Sequence, residues 1–286
     1  MANAFGMTLP TQTRILFPQP TNPDLQSLYI FNMYRAGSSV TEAVGETLGA
    51  ASRHTSFNLV NALSNAGVGL IDHQDHSRAS VHIEPGALDV LGTLGGYILN
   101  GFREIPQAYA ETFAFPGAAV IVVRDPRDII YSQYNAVKKH MVGGAYAGDI
   151  TALREQTAQQ SVAEFVLSDD SLAFIRRICR CYWPLIHKGV PVIQYETFVK
   201  DTGFDAEGLM FTIADHFGPL IEFTVSRERA IDNLRKRIAN SKSLSGHQTG
   251  GRTQMYRDLP EPLQASLAEA LAPELEMFGY DTNIAS

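Results

Sequence analysis

Cysteine is scarce in this chain: Cys179 and Cys181 are the two it has. Their spacing, inside a helical pattern, turns the two side chains apart. That excludes a disulfide framework and a cysteine metal site, and leaves two inert thiols as the expectation. Long apolar runs are also missing. No stretch approaches the ~18 apolar residues of a membrane helix. The segment Met1–Pro10 lacks the basic-then-apolar succession of a secretory signal, so a cytoplasmic location is expected. Basic residues are the minority, 23 Lys and Arg against 30 Asp and Glu, for a net charge of −7. Such a balance excludes general nucleic-acid binding. A small polyanion still fits, because local arginines set the field inside a cleft. Internal repeats and low-complexity tracts are absent. So is the Walker A pattern Gly-x-x-x-x-Gly-Lys-Ser/Thr.

What is present is 45% hydrophobic residues in 286, enough for a substantial core. Apolar β-branched runs alternate with helical periodicity, which argues for a parallel sheet with right-handed crossovers. Residues 1–27, with several prolines, read as an irregular lead-in to a single domain spanning 1–286. Strands are expected near 28–33, 67–71, 79–83, 97–102, 119–123 and 190–194. Helices are expected near 39–51, 56–66, 126–141, 160–187, 205–217, 224–240 and 260–277. The stretch 142–160, rich in glycine, alanine and polar residues, is expected as a loop over an acceptor site.

Two strand–turn–helix units carry chemistry. In the first, Leu28–Met33 is apolar enough for a buried strand, Tyr34–Ser39 is a turn, and Val40 opens a helical pattern. Gly37 lets the backbone approach an anion. Free N–H groups at the helix start favour negative charge. Ser38 and Ser39 add hydroxyl donors, and Arg35 adds a fixed charge. In the second, Ala119–Val123 ends at Arg124, and Pro126 opens a helix that carries Ser132. The carboxyl end of a strand in an open α/β sheet is where ligands bind. An Arg fork and a Ser hydroxyl can grip a phosphate there from two sides. The ordinary reading of either unit alone is a capped helix start with surface arginines.

Taken together and in order, these segments resemble the sulfotransferase family that uses 3′-phosphoadenosine 5′-phosphosulfate (PAPS). That family holds the 5′-phosphosulfate on a Lys/Arg-x-Gly-Ser/Thr-Ser/Thr loop, which Arg35-Ala36-Gly37-Ser38-Ser39 matches with Arg in the first place. It binds the 3′-phosphate with an Arg at a strand end and a Ser eight positions on, as Arg124 and Ser132 stand here. A Tyr–Glu pair after a later strand recurs as Tyr195 and Glu196. A glycine-rich basic loop near the C-terminus resembles Ser245–Leu259, in which Gly250, Gly251 and Arg252 are the candidates for the nucleotide; Arg257 reads as a helix-start surface charge. The matches run from about residue 28 to about 280.

The resemblance implies a three-layer α/β sandwich around a central parallel sheet, a P-loop-like nucleotide-binding fold with additional helices. It implies Arg35, Ala36, Gly37, Ser38, Ser39, Val40, Arg124, Ser132, Tyr195, Gly250, Gly251 and Arg252 as cofactor-binding residues. PAPS would be the co-substrate and 3′-phosphoadenosine 5′-phosphate (PAP) the product. Transfer would be in line to a hydroxyl or amine of a small-molecule acceptor, natural products included, without metal. A homodimer is expected by family habit alone, and neither a membrane nor a nucleic acid is expected as partner.

Arg does not readily donate its proton, so Arg35 should act electrostatically. A hydroxyl acceptor needs a base. Many family members place a His in a Lys-Thr-His-x-Pro segment before the Arg-ending strand. Aligning on Pro106 puts Glu104 at that place, and other branches use a glutamate, so Glu104 is the first candidate. The ordinary alternative is a surface pair of Arg103 with Glu104. His73, in the cluster Asp72, His73, Asp75, His76, is the rival base; a solvated loop is the ordinary reading of that cluster. Tyr195 could border the adenine, or end a strand with its ring in the core. Tyr182 and Trp183 are expected in the core of a long amphipathic helix, with Arg176, Arg177 and Arg180 on its solvated face. A carbohydrate sulfotransferase, a P-loop small-molecule kinase and a non-catalytic nucleotide-binding relative remain open; magnesium dependence would separate the kinase.

Overall fold

The computed structural model describes residues 4–8, 14–58, 62, 94–105, 107–139, 157, 159–201, 203–244 and 253–282. In chain order these form β1 (Ala4–Thr8), β2 (Arg14–Pro18), β3 (Leu28–Asn32), α1 (Ser38–Ala51), β4 (Thr55–Asn58), β5 (Tyr97–Phe102), α2 (Gln107–Thr112), β6 (Ala119–Val123) and α3 (Pro126–Lys139). There follow α4 (Val162–Val166), α5 (Asp169–Arg180), α6 (Trp183–His187), β7 (Val192–Gln194), β8 (Val199–Lys200), β9 (Gly203–Phe204), α7 (Ala206–Phe217), α8 (Arg227–Leu244), α9 (Glu261–Ala270) and α10 (Ala272–Met277). Among these, no helix is long and apolar enough to cross a membrane.

β3 and β6 are buried at all five positions, as strands covered on both faces must be. They pair in parallel at the centre of a five-stranded sheet of order β4-β5-β3-β6-β7, in which every pairing is parallel. Alternate residues serve opposite cores. Leu28, Ile30, Val120 and Val122 pack with Ala43, Val44 and Leu48 of α1 and with α7 and α8. Tyr29, Phe31, Ile121 and Val123 pack with α3, α5, α9 and α10. The result is three layers, helices on both sides of a parallel sheet. The helices after β3 and β6 cover opposite faces, so a crevice opens between the carboxyl ends of these neighbours, at the switch point.

Several expectations are corrected. Residues 55–58 form an edge strand, Thr55↔Tyr97 through Asn58↔Asn100, where a helix over 56–66 was expected; pairing with the buried β5 overrides the helical period. Part of the lead-in is an antiparallel pair, Ala4↔Pro18 to Thr8↔Arg14. The helix expected over 160–187 is three pieces. Ser161 closes a capping box on α4, Ser168 caps α5, and Pro184 lies in the first turn of α6, a succession of start signals that hydrophobic period alone does not reveal. Pro273 likewise separates α10 from α9. The strands expected at 67–71 and 79–83 and most of the loop 142–160 lie outside the described residues.

Candidate functional site

The loop after β3 is held from both sides. The Met33 N–H donates to the Val122 carbonyl (2.9 Å), the Ala36 N–H to the Met33 carbonyl (2.9 Å), and the buried Asn32 amide nitrogen to the Ala36 carbonyl (3.0 Å). Arg35 sits at φ 63 and Gly37 at φ 75. A side-chain-bearing residue held there costs about 1–3 kcal/mol, and such conformations gather at functional sites. Gly37 is required twice over, because a Cβ on it would stand 2.4 Å from Tyr195 Cε2.

Gly37 is also the N-cap of α1, whose first turn has neither a side-chain cap nor an acidic residue. Val40 and Thr41 donate their N–H groups to the Gly37 carbonyl (2.9 and 3.0 Å), so the Val40 N–H is already engaged. The N–H groups of Ser38 and Ser39 are the ones a capless helix leaves for an anion. The buried Arg35 Nε has no hydrogen-bond partner among the described residues.

Arg124 follows β6 directly and is 5% exposed. Its Nη1 donates to the Arg35 carbonyl (3.2 Å), and its Nη2 to Asp128 Oδ2 (3.2 Å). Arg124 lies just before α3, Asp128 and Ser132 stand four residues apart on one face of that helix, and all three are buried. Burial pushes the Asp128 carboxyl up; the Arg124 charge and the Tyr256 N–H at 3.1 Å pull it back. The Arg124 guanidinium is thus held in place by Asp128.

Tyr195 closes the third side. It begins the turn after β7, stacks on Phe204 at 4.6 Å, and lies beneath the Arg124 guanidinium at 5.6 Å. Its ring is buried and borders Gly37. Burial raises its hydroxyl's pKa. Glu196 ties the carboxyl-end turns together: Oε1 accepts the Asp125 N–H (2.9 Å), and Oε2 accepts the Tyr280 hydroxyl (2.7 Å). Asp125 in turn takes both Nε and Nη2 of Arg127 (3.0 and 2.7 Å), and Arg127 lies over the Tyr256 ring at 4.2 Å.

Glu104 lies two residues beyond β5, whose Phe102 pairs with Phe31, so it stands at the same carboxyl edge as the Arg35 loop. It is buried, and burial pushes its carboxyl up to about 7, against the opposing pull of Arg177. Arg177 Nε is 2.9 Å from Glu104 Oε1. The partner is therefore Arg177 and not the Arg103 of the ordinary alternative, and Arg177, 25% exposed, departs from the solvated face expected of α5, whereas Arg180 is 63% exposed. Arg180 pairs with the fully buried Glu274, and Arg176 donates to the Ala270 carbonyl. Tyr182 is in the core as expected, but Trp183 is 45% exposed, since α6 turns away after Tyr182.

His73, Gly250, Gly251 and Arg252 lie outside the described residues. Arg257 is exposed. A shallow groove of about 580 Å³ lined by Glu46, Ser52, His54 and Arg237 lies at the far end of α1, a helix ~21 Å long. There His54 is a structural residue whose ring contacts the Gln26 carbonyl and Ser52 Oγ (both 3.2 Å). Sequence reasoning missed Asp125, Arg127, Asp128, Arg177, Tyr256 and Tyr280. Asp128, four residues past Arg124, was within reach of a spacing argument; the others meet through contacts distant in sequence.

The chain is an open parallel α/β sheet whose switch point gathers two arginines, an uncapped helix start and a buried carboxylate. No protein-family model and no curated protein matches the sequence. Solved structures do resemble it at low similarity. Retinol dehydratase in complex with androsterone and the inactive cofactor PAP is 12% identical, with 100% of this chain and 92% of that one covered and a TM-score of 0.40. Retinol dehydratase with retinol and PAP is 12% identical, with 100% and 93% covered and a TM-score of 0.39. A mouse sulfotransferase complexed with PAP is 11% identical, with 94% of each chain covered and a TM-score of 0.46.

Proposed function

We propose that the protein is a PAPS-dependent sulfotransferase acting on a hydroxyl or amine of a small molecule. The observation that carries this reading is the contact of two anion-binding units remote in sequence: Arg124 donates to the Arg35 carbonyl, and Tyr195 packs against both Gly37 and Arg124. One unit suits a phosphosulfate and the other a separate phosphate, which is the charge layout of an adenosine bisphosphate. The orphaned Arg35 Nε fits such a group.

When bound, PAPS supplies an activated sulfuryl group on a phosphate leaving group. The N–H groups of Ser38 and Ser39 and the Arg35 guanidinium lower the energy of charge gathering on that phosphate. Arg35 keeps its own proton. Arg124 and Ser132 fix the other end of the nucleotide, so attack on sulfur is held in line. Glu104, titrating near 7, is matched to accept the acceptor's proton at neutral pH. The acceptor oxygen or nitrogen gains the bond to sulfur, the bond from sulfur to the bridging oxygen breaks, and PAP leaves.

The test is calorimetric titration with PAP, ADP and ATP on wild type, Ser132→Ala and Arg124→Lys. PAP should bind and ADP should not, with PAP weakened in both variants. Equal binding of PAP and ADP would remove the second phosphate site and with it the proposal. PAPS turnover is then followed with a panel of phenols, alcohols and amines, without added metal.

A further inference from the structure

One face of α5 joins the two halves of the site. Phe174 and Arg177 stand three residues apart, neighbours on a helix surface, and the Arg177 guanidinium lies over the Phe174 ring at 5.3 Å. The Phe174 ring meets the Tyr34 ring edge-on, 5.6 Å between centroids and 89° between planes. The Arg35 guanidinium lies over the other partner, Tyr34, at 5.4 Å. The Tyr34 hydroxyl donates to Gln133 Oε1 (2.9 Å), beside Ser132 on α3. At its far end the line reaches Glu104, whose Oε1 is 2.9 Å from Arg177 Nε. Contacts between a cation and a ring face, and between ring edges and faces, have preferred geometries, so each member fixes the next.

We propose that Arg177 is the positioning residue of this site, holding the Glu104 carboxylate in one orientation and, through Phe174 and Tyr34, in fixed relation to Arg35. The inference rests on the reading of Glu104 as proton acceptor. An aligned base must keep one rotamer while the acceptor enters, and a carboxylate alone on a turn after a strand has little to hold it. The guanidinium contact through Nε supplies that restraint. The same charge opposes the effect of burial on the carboxyl. The groups that face Glu104 among the described residues are Arg177 on α5 and, past its end, the Cys181 thiol and Tyr182 hydroxyl; Arg103 adjoins it on its own turn. Both the thiol and the hydroxyl are pushed up by burial and stay neutral, so Arg177 is the charge that governs the site.

The experiment uses the full chain as wild type, Arg177→Met and Arg177→Lys. The Glu104 carboxyl is titrated by NMR in protein labelled with carbon-13 at glutamate, its signal identified by its loss in Glu104→Gln. PAP affinity is measured on the same samples, and the pH profile of PAPS turnover with the best acceptor of the panel follows. Wild-type Glu104 should titrate near 7. Removing an opposite charge at this range should raise the midpoint by about one unit or more. Arg177→Lys should restore part of that shift, PAP affinity should hold, and the acid limb of kcat should move with the titration while KM for PAPS does not. A Glu104 midpoint unmoved in Arg177→Met, with PAP still bound, overturns the role of Arg177 alone. Failure of wild type to bind PAP overturns the underlying reading and this role with it. If Arg177→Met does not fold, Arg177→Lys decides: a lower kcat with an unmoved acid limb supports positioning, and unchanged kcat overturns it.

Discussion

Arg124 and Asp128 form an ion pair whose side chains are 6% and 0% exposed, and this makes Arg124→Ala a severe perturbation even before any ligand is considered. The substitution strands a carboxylate that no solvent reaches, with one remaining donor from the described residues, the Tyr256 N–H at 3.1 Å. Removing one partner of a buried pair costs about 3–5 kcal/mol; the surviving N–H bond places the expected loss near the lower end, ~3 kcal/mol. The loss should depend on pH. Without Arg124 the Asp128 carboxyl, already pushed above its usual 3.8 by burial, rises further. The native state then holds a proton the unfolded chain releases, so the variant's deficit grows as pH climbs from the unfolded value and shrinks in acid. Asp128→Asn removes the stranded charge and keeps an oxygen for the Tyr256 N–H. Urea unfolding followed by far-ultraviolet circular dichroism at pH 5 and pH 8 gives all four corners of the double-mutant cycle. Arg124→Ala should cost less in the Asp128→Asn background than in wild type, by at least ~1.5 kcal/mol at pH 8. Equal costs in the two backgrounds would refute the reasoning. The cycle also separates instability from lost PAP affinity, because the double variant should keep its fold yet lack the cation proposed to hold the 3′-phosphate.

Glu104→Gln should flatten the dependence of stability on pH: the wild-type carboxyl, raised from 4.5 to about 7, makes the native state lose up to ~3 kcal/mol as pH rises across that window, and parallel curves for the two proteins would contradict its burial. Gly37→Ala combines φ 75 with a Cβ pressed into the Tyr195 ring; a loss of about 1–3 kcal/mol, read as a lower Tm, should accompany lost PAP affinity, and an unchanged Tm would mean the ring and loop are not packed as described. Cys179 and Cys181 are buried with thiols pushed up by that burial, so neither should react with a disulfide reagent at pH 8 until denaturant is added; labelling of native protein would show the α5 core to be open.

What the sequence made legible was local. Leu28–Asn32 and Ala119–Val123 are runs whose buried character shows in their composition, and the turns after them carry their own punctuation, Gly37 in one and Pro126 in the other. Both strand–turn–helix units could therefore be placed to within a residue or two. That they touch could not be read, because the Arg124–Arg35 bond depends on β3 and β6 being sheet neighbours. The same limit explains Arg177. On its own helix it reads as one of three surface cations, and only the packing of α5 against the end of β5 brings it to Glu104. Helix breaks at Tyr182 and Leu271 were hidden by an apolar period that continues across them, and β4 by the absence of any local strand signal in Thr55–Asn58.

The ring of Tyr195 against Gly37, and the hydroxyl of Tyr280 on Glu196, give the proposed PAP site a temporal property. Its first wall, the Arg35 loop, is made well before Tyr195 and Tyr280, and the contacts join segments far apart in sequence. Closing such distant segments is slow compared with forming the helices. Under the proposed reading, a chain that has made the Arg35 loop but not yet placed Tyr195 and Tyr280 lacks the walls that would hold PAP, and PAP capture becomes a report that these distant segments have met.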